Sequence, residues 1–321
     1  MEVSASVANA AGRLTDEVRA RVRMLRALRS REVRLARKGF VDIDLPRASR
    51  VPGSFWAVMM VKNEADVIES TVNHLLSQGA AGILVADNLS TDATLDLLRS
   101  LAERDNRVHV ARDLEPGYYQ SAKMSYLARR AWKAGADWIV PVDADEHWFA
   151  PKFSLADYFR RSDAPRAWAA MHEAYPENAD ARWEPMGLIQ VERDPGPLPK
   201  VAFKAAPWTW IGDGNHSLRG VPPSRQADLK LLHYQYRSQA QFSSKVQGGV
   251  AALNRAVGQN PEMGQHWREQ AAMSETARGD RWRDLVESRI EDHGQRRRAS
   301  RVLVRAPGAW ATWDPSGEIG V

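Results

Sequence analysis

Between residues 55 and 142, short and continuously apolar runs alternate with stretches in which apolar residues recur every three or four positions. Short apolar runs bounded by polar residues are typical of buried strands, whereas the spacing of three and four is typical of amphipathic helices. Strands and helices that alternate at this distance favour right-handed βαβ units and a mostly parallel sheet. The predicted strands are FWAVMMV (55–61), ILVA (83–86), VHV (108–110) and WIVPV (138–142).

Residues that start and stop helices lie between the predicted strands. We expect Asn63 to cap the first helix, Ser90 or Thr91 to cap the second, and the third to run from about Gln120 to Lys133. Glycines that permit a left-handed residue follow the first and third helices, at Gly79 and Gly135. Pro141 argues against a central position for the fourth strand, because proline donates no ladder hydrogen bond, but it is tolerated near a strand end.

Polar side chains follow three of these strands at the point where each strand ends. A solvated turn explains any one of them, since acids commonly follow strands and cap the next element. A solvated turn does not explain why carboxylates and amides follow three strands whose carboxyl ends lie at the same edge of the sheet. Parallel sheets bind their ligands at that edge. We therefore expect a binding site formed by Lys62, Asn63, Glu64, Asp87, Asn88, Asp143 and Asp145.

Composition limits the chemistry available to the 321 residues. Because the chain has no cysteine, a metal must be bound by oxygen or imidazole. No run of eighteen apolar residues predicts a membrane span. The first residues lack the basic start and apolar core of a secretory signal, so we expect a cytoplasmic protein.

The net charge of +5 is concentrated in a predicted N-terminal helix. Residues 13–38 carry ten Lys or Arg and three acids, and a second basic stretch spans 281–305. The apolar stripe of the helix can pack on the protein itself or on a second copy in a homo-oligomer, or it can lie peripherally on an anionic membrane. The apolar stripe comprises Leu14, Val18, Val22, Leu25 and Leu28.

No motif in the sequence supports nucleic-acid binding.

Three ordered motifs resemble those of family 2 glycosyltransferases, in the subgroup whose metal motif reads D-A-D-E. They are MMVKNEADVIESTVNHLL, ILVADNLSTDATLDLL and GADWIVPVDADEHW, within residues 55–150, and a weaker resemblance extends to about residue 240. The resemblance implies a glycosyltransferase A-type fold, which is a mostly parallel, Rossmann-like α/β sheet flanked by helices. It also implies a nucleotide-diphosphate sugar donor, with a UDP-sugar favoured, a Mn²⁺ or Mg²⁺ cofactor, and inversion at the transferred sugar.

We expect three regions along the chain. Residues 1–50 form a basic helical extension, and residues 51–240 form the nucleotide-sugar domain, whose acceptor part spans 150–240. Residues 241–321 form a helical C-terminal region. The acceptor itself stays open among a glycan, a lipid-linked molecule and a small molecule.

The D-A-D-E motif suits a hard divalent cation that neutralises a departing diphosphate. We expect Asp145 to be the direct metal ligand and Asp143 to hold the ribose hydroxyls or a metal-bound water. By resemblance, Asp87 reaches the base or ribose of the nucleotide. Glu64 and Lys62 are expected near the base pocket, although a surface position for Lys62 is equally consistent.

An inverting transferase needs a general base beside the acceptor hydroxyl. In the resembling family an Asp downstream of the metal motif does this, so Asp213 in TWIGDGNHSL is the first candidate. His216 in the same loop is the alternative, unless it only packs, and Glu173 is a weaker one.

The segment LKLLHYQYRSQAQFSSKV (229–246) predicts a strand followed by a helix. His233 lies in its apolar part, where it is either a core residue or, as HYQYRS favours, a metal or phosphate contact. Arg237 and Lys245 can clamp a diphosphate. Three aromatic residues can stack on an acceptor sugar or belong to the core: Trp208, Trp210 and Tyr234.

Two other functions remain open at this point. A binding or scaffold protein would keep the sheet and use its basic ends to hold a membrane or a partner, but it has no need of carboxylates on one edge. A nucleotidyltransferase would carry a Gly-rich phosphate loop after the first strand, and VKNEADV lacks one.

Overall fold

The computed structural model describes residues 18–19, 21–22, 25–26, 29–222, 228–256, 264–289 and 300–320. Its strands are β1 (Phe40–Val41), β2 (Phe55–Val61), β3 (Gly82–Asp87), β4 (Val108–Asp113), β5 (Trp138–Pro141), β6 (Glu146–Phe149), β7 (Arg166–Pro176), β8 (Leu188–Glu192), β9 (Lys200–Lys204), β10 (Trp210–Ile211), β11 (Leu218–Arg219), β12 (Leu229–His233) and β13 (Arg301–Arg305). Its helices are α1 (Arg31–Gly39), α2 (Ile68–Ser77), α3 (Thr94–Arg104), α4 (Gln120–Lys133), α5 (Leu155–Arg161), α6 (Gln239–Arg255), α7 (Gln265–Ala271) and α8 (Glu275–Val286).

One large sheet organises these elements, in the order β1-β4-β3-β2-β5-β9-β7-β12-β6. Strands β4, β3, β2 and β5 are parallel, which confirms the expected fold class. Beyond them β9 is antiparallel to both of its neighbours, and β12 is parallel to β7. The chain moves outward from β2 to β4 and then returns to place β5 on the other side of β2. The topological switch point therefore lies between β2 and β5, where such sheets bind ligands.

Side chains alternate between the two faces of the sheet and bury two cores. On one face, Met59 and Val61 of β2 pack with Val72 of α2. On the other face, Val58 packs with Leu127 of α4. Because both faces are covered by helices, the central strands are apolar throughout, as their sequences predict.

Helix α4 has the bounds that its periodicity predicts, and two terminating glycines are confirmed. Gly79 and Gly135 have φ values of +84° and +104°, which an L-residue rarely adopts. Pro141 does not interrupt the sheet, because β9 pairs only with Trp138 and Ile139 of β5. The ladder on that side ends before the proline.

The predicted helix caps at Asn63 and at Ser90 or Thr91 are wrong. Helix α2 begins after Val67, and no side chain caps it. The Oδ1 of Asn63 instead accepts from Thr91 N (2.8 Å), and Asn63 N donates to Ser90 Oγ (2.9 Å). The two loops at the ends of β2 and β3 lie side by side, so their polar groups satisfy each other and not the helices that follow.

The N-terminal region contains a helix break that the sequence pattern does not predict. Ser30 accepts from Val33 N (3.2 Å) and starts α1, so residues 13–38 are not one continuous helix. Val18, Val22 and Leu25 are 56%, 41% and 47% exposed, while Leu14 and Leu28 lie outside the described residues. Whether the stripe meets a second copy or a membrane stays a prediction.

The C-terminal region supplies α7, α8 and most of α6, together with a strand. Strand β13 pairs with β8, and Trp310 and Trp313 pack into the first core. Within the described ranges, no helix has the length and apolarity needed to cross a membrane. The division into three regions stays a prediction.

Two stacked histidines are buried in the core behind the D-A-D-E segment. The rings of His74 and His147 lie 4.5 Å apart at an angle of 12°. Burial lowers the pKa of His74 to about 4, although its bond to Trp148 O (2.8 Å) opposes the shift. Burial also lowers the pKa of His147 well below its ordinary value. Both rings are therefore neutral in the folded protein at pH 7.

We expect this pair to make the fold sensitive to acid. Because an unfolded histidine binds a proton near pH 6.5 and folded His74 does so only near pH 4, unfolding takes up protons between these values. Stability present above pH 6.5 is lost as the pH falls, by about 2 kcal/mol from pH 7 to pH 5 for His74 alone. Urea denaturation at both pH values measures the loss. A His74→Gln variant should lose less, and equal losses in the two proteins would contradict the prediction.

Candidate active site

A cavity of about 1310 Å³ opens at the carboxyl ends of β2 and β5 and is closed on the opposite side by α6 and α7. Residues from the predicted edge of the sheet line it together with residues from the second half of the chain. Those predicted from the sequence and found in its lining are Lys62, Asn63, Glu64, Asn88, Asp143, Asp145, Glu173, Asp213, His216, His233, Arg237 and Lys245, whereas Asp87 is not in the lining.

Asp145 lies at the centre of a cluster of cations. Its Oδ2 accepts from Lys245 Nζ (2.5 Å) and lies 3.5 Å from Arg237 Nη1, while its Oδ1 is 3.7 Å from His233 Nε2. The residue is only 3% exposed. Burial raises the pKa of Asp145, but Lys245, His233 and Arg237 outweigh burial and hold the pKa far below its ordinary value. The carboxylate is therefore ionised across the physiological range.

Asp143 is held on both oxygens by residues that the sequence pattern did not reveal. Lys200 Nζ donates to Asp143 Oδ2 (2.5 Å), and Asn215 Nδ2 donates to Oδ1 (3.1 Å). Lys200 also forms an ion pair with Glu146 Oε1 (2.8 Å), and Glu146 Oε2 accepts from the backbone N–H of Asp143 (3.1 Å). The only feature of the sequence that could have indicated a buried role for Lys200 is its position directly before the apolar run VAF (201–203). These bonds fix the shape of the D-A-D-E loop.

His233 faces Asp145 with one ring nitrogen and a carboxylate with the other. Strands β12 and β7 place His233 opposite Glu173, and His233 Nδ1 lies 3.0 Å from Glu173 Oε1. Burial lowers the pKa of His233, but Glu173 and Asp145 outweigh burial and raise it to about 9. The structure thus places Glu173, the weaker candidate for the base, behind His233.

Arg237 is fully buried, and all five of its N–H groups have acceptors. Nε and Nη2 bind Asp66 (2.8 and 3.0 Å), and Nη2 also donates to Glu64 Oε2. Nη1 donates to Tyr234 O (3.0 Å) and to Asp145 Oδ2 (3.5 Å). Burial raises the pKa of Glu64, and Arg237 opposes that shift. Arg237 therefore ties the loop after β2 to the D-A-D-E loop.

Asp87 is buried at the end of β3, next to Asn88, which lines the cavity. Its Oδ2 accepts from Ser90 N (3.2 Å), whereas its buried Oδ1 has no hydrogen-bond partner among the described residues. Asn88 has a structural role that the sequence does not indicate. Its Nδ2 donates to Asp113 Oδ2 and to Glu115 O (2.8 Å each) and so holds the loop after β4.

Asp213 and His216 line the cavity from the loop between β10 and β11. Asp213 is exposed by surface area, and its Oδ1 accepts from Ser121 N (3.2 Å) in the first turn of α4. The surrounding chain partly desolvates the carboxyl and raises its pKa, while the bond from Ser121 opposes the shift. His216 Nδ1 lies 3.1 Å from Pro199 O, and burial lowers its pKa.

The three aromatic residues proposed for acceptor stacking lie elsewhere. Tyr234 is fully buried, and its OH lies 3.3 Å from His147 Nδ1, so it is a core residue. Trp208 is covered by the guanidinium groups of Arg21 and Arg129. Neither these two residues nor Trp210 line the cavity.

Comparison with known proteins identifies the family of the segment that carries three of these loops. Residues 56–193, which include the loops after β2, β3 and β5, match the family model described as Glycosyl transferase family 2. These residues form a family 2 glycosyltransferase domain. The mostly parallel α/β sheet is the one expected from the resemblance, and the match to a glycosyltransferase model supports an enzyme. Comparison with curated proteins found no match.

Several solved structures are similar to the chain that carries this family 2 domain. TarS from S. aureus in complex with UDP is 14% identical, with 74% of this chain and 71% of that chain covered and a TM-score of 0.37. The mannosyltransferase PcManGT from Pyrobaculum calidifontis, in complex with GDP-Man and Mn²⁺, is 16% identical, with 86% and 83% covered and a TM-score of 0.35. Glucosyl-3-phosphoglycerate synthase from Mycobacterium tuberculosis, in complex with Mn²⁺, UDP and phosphoglyceric acid, is 16% identical, with 40% and 51% covered and a TM-score of 0.26.

Proposed function

We propose that the enzyme transfers one sugar from a nucleotide-diphosphate sugar to an acceptor hydroxyl, with inversion and with a bound Mn²⁺ or Mg²⁺. A UDP-sugar is the favoured donor. The observation that carries the proposal is the contact between Asp145, in the loop after β5, and His233, at the end of β12, with Glu173 on the other ring nitrogen of the imidazole. The complexes of TarS with UDP and UDP-GlcNAc and of PcManGT with GDP-Man are in keeping with it.

The contact between Asp145 and His233 fits a shared cation better than a hydrogen bond. The 3.7 Å between Asp145 Oδ1 and His233 Nε2 is too long for a hydrogen bond. Two ligands that each bind one ion at about 2.1 Å lie roughly 3 to 4 Å apart. Glu173 on the other ring nitrogen is the partner that metal-binding histidines usually have, since it orients the ring. We therefore infer that Asp145 and His233 hold the ion, and that the ion displaces the proton which His233 keeps up to about pH 9 without it.

The protein supplies few ligands for this ion. Over the ranges that the structure describes, no group of three His, Asp or Glu side chains forms a metal site. Two protein ligands leave positions for phosphate oxygens and water, as in sites where a cation bridges a nucleotide. Because Mg²⁺ is a hard cation that is bound by oxygen ligands, the imidazole of His233 favours manganese. When bound, the ion would neutralise charge on the departing diphosphate.

We assign Asp87, which lies beside the cavity-lining Asn88, and Asp143, which lines the cavity, to the nucleoside. The Oδ1 of Asp87 is a buried acceptor, and such atoms are normally hydrogen-bonded. It can accept from an N–H of the base or an O–H of the ribose, as the resemblance implies. Asp143, fixed by Lys200 and Asn215, is oriented for ribose hydroxyls or a metal-bound water. Lys62 and Glu64 complete this end of the cavity.

Arg237 and Lys245, which the sequence suggested as a diphosphate clamp, have different proposed roles. Because all five N–H groups of Arg237 are engaged by protein acceptors, we assign it to positioning Glu64, Asp66 and Asp145. Lys245 lies in the cavity with its ammonium on Asp145, and we assign it to the phosphate charge.

Asp213 is the proposed general base. Its carboxylate takes the proton of the acceptor hydroxyl as the acceptor oxygen forms a bond to C1 of the donor sugar. The bond from C1 to the phosphate oxygen breaks, and its electron pair leaves with the nucleoside diphosphate. A pKa raised by desolvation makes Asp213 a better proton acceptor, which supports the assignment. His216, with its pKa lowered, is the alternative base.

A thermal-shift panel tests the proposal directly. We expect a UDP-sugar, among UDP-, GDP-, CMP- and dTDP-sugars, to raise the Tm, and to raise it further with Mn²⁺. At a hundred times Kd, a ligand that binds only the folded state stabilises it by about 2.7 kcal/mol. Mn²⁺ without nucleotide is the control. The proposal fails if no nucleotide sugar changes the Tm with or without Mn²⁺.

A further inference from the structure

We infer that the wall of the cavity built by α6, α7 and the loop before α4 is an acceptor subsite that binds a pyranose ring. We call it the α6 wall and define it by Tyr118, Gln120, Ser244, Gly248 and Trp267. The inference rests on the proposed function, because an acceptor site has meaning only beside a donor site. It adds the chemical class of the acceptor, a glycan or glycoside.

A chain of hydrogen bonds joins the α6 wall to the proposed base. Tyr118 N donates to Ala252 O of α6 (3.2 Å), and Tyr118 OH donates to Gln120 Oε1 (2.8 Å). The same Oε1 accepts from Gly214 N (2.7 Å), the residue after Asp213. A ligand on this wall therefore lies beside the carboxylate that would take its proton.

The wall presents aromatic rings to the cavity. Tyr118 and Trp267 are edge to face, with ring centroids 5.9 Å apart and planes at 90°. Both residues line the cavity and are half-buried. A pyranose has an apolar C–H face, which an aromatic ring can cover, and a rim of hydroxyls that need donors and acceptors. Ligand sites commonly combine such an apolar wall with a few placed polar groups.

Two consecutive glycines in the interior of α6 give a second, independent observation. Each glycine lowers the stability of the helix by about 1 kcal/mol relative to alanine, so we expect a structural cause for each. At Gly249 the cause is the packing of Trp267, since a Cβ on residue 249 would lie 2.6 Å from the indole ring. A Cβ on Gly248 would meet no described residue within 4 Å. Gly248 lines the cavity, so its missing side chain widens the cavity at this point of α6.

Polar groups around this space match the hydroxyl rim of a sugar. Ser244 and Lys245 lie one helical turn before Gly248 on the same face of α6, and Gln120 and Asp213 lie across from them in the cavity lining. An acyl chain would require an apolar channel, and this mixture of hydroxyl, amide and charge does not provide one. The ring of a glycan satisfies both the aromatic and the polar parts of the wall.

Ligand-observed saturation-transfer NMR tests the subsite without requiring turnover. The probes are p-nitrophenyl and methyl glycosides of common pyranoses, added to wild-type enzyme, to Gly248→Leu and to Trp267→Ala. Gly279→Ala in α8 is the matched control, because the added methyl group meets only the end of the Gln239 side chain. Transfer from the donor found in the thermal-shift panel to the same glycosides is measured in parallel.

We expect at least one pyranoside to bind wild type and Gly279→Ala equally, and to bind Gly248→Leu and Trp267→Ala about tenfold or more weakly, a loss of about 1.4 kcal/mol. The KM for the glycoside should rise while nucleotide-dependent thermal shifts stay unchanged. Equal binding to all four proteins, or no binding of any pyranoside to wild type, would overturn the subsite. Unchanged donor binding in that case leaves the proposed function intact, whereas loss of all nucleotide binding counts against the proposed function itself.

Discussion

Replacing Asp145 by asparagine is expected to reduce sugar transfer to about a hundredth or less of the wild-type rate. The substitution keeps the size of the side chain but removes the charge that faces Lys245, Arg237 and His233. It also removes the carboxylate oxygen that we assign to the ion. The gain in nucleotide affinity on adding Mn²⁺ should therefore disappear, and calorimetric titration with and without the metal measures it.

The matched control for this variant is Asp66→Asn. Asp66 also binds Arg237, but its side chain is about half exposed, and in the part of the chain that the structure describes no ion pair joins it to His233. It should keep most of the Mn²⁺ effect on nucleotide binding. If Asp145→Asn retains the full effect, the metal assignment is wrong. Alanine is a poorer choice at this position, because it also leaves a cavity and removes the buried oxygen that accepts from Lys245, whereas asparagine keeps an oxygen of similar position.

Replacing Asp213 by asparagine is expected to lower kcat by a factor of about 10² or more while donor affinity stays unchanged. The amide oxygen of asparagine can still accept from Ser121 N, so the local structure is retained. Because burial raises the pKa of Asp213, the wild-type rate should fall as the pH drops through that raised value and the carboxylate is protonated. The acidic limb of the pH profile should be absent from the variant. Steady-state kinetics from pH 4 to pH 8 measure both effects.

His216→Gln is the comparison that separates the two candidate bases. A rate near wild type in this variant, together with a slow Asp213→Asn, supports the assignment of Asp213. The reverse result, an active Asp213→Asn and an inactive His216→Gln, exchanges the two roles. A loss of donor binding in either variant would show instead that the loop supports the nucleotide site.

Local patterns in the sequence determined the central part of the fold. Strand β2 and helix α4 have the bounds that their apolar periodicity predicts, because burial on a sheet or helix face repeats with a fixed local period. The edge that carries Asp87, Asp143 and Asp145 was predictable for a related reason. The carboxyl ends of parallel strands must lie on one side, whatever the details of packing.

The partners of these carboxylates were decided only by the tertiary structure. Lys200 reaches Asp143 from 57 residues away, and Lys245 reaches Asp145 from 100 residues away. The periodicity of a helix or strand concerns residues that are close in sequence, so it cannot predict contacts over such separations. The sequence alone placed Asp145 at the ligand-binding edge of the sheet. Only the structure shows that Asp145 is buried there, where Lys245 of α6 contacts it.

The same distinction explains the roles of the remaining site residues. The segment HYQYRS indicated that His233 belongs to a site, but only the parallel register of β12 on β7 puts Glu173 against its ring. The polar residues Asn63 and Thr91 were visible in the sequence as helix caps, yet the structure uses them to join two loops. Residue type and local spacing determined which groups are available for chemistry. Strand register and helix packing determined which of these groups contact one another, because the contacts join residues that are far apart in the sequence.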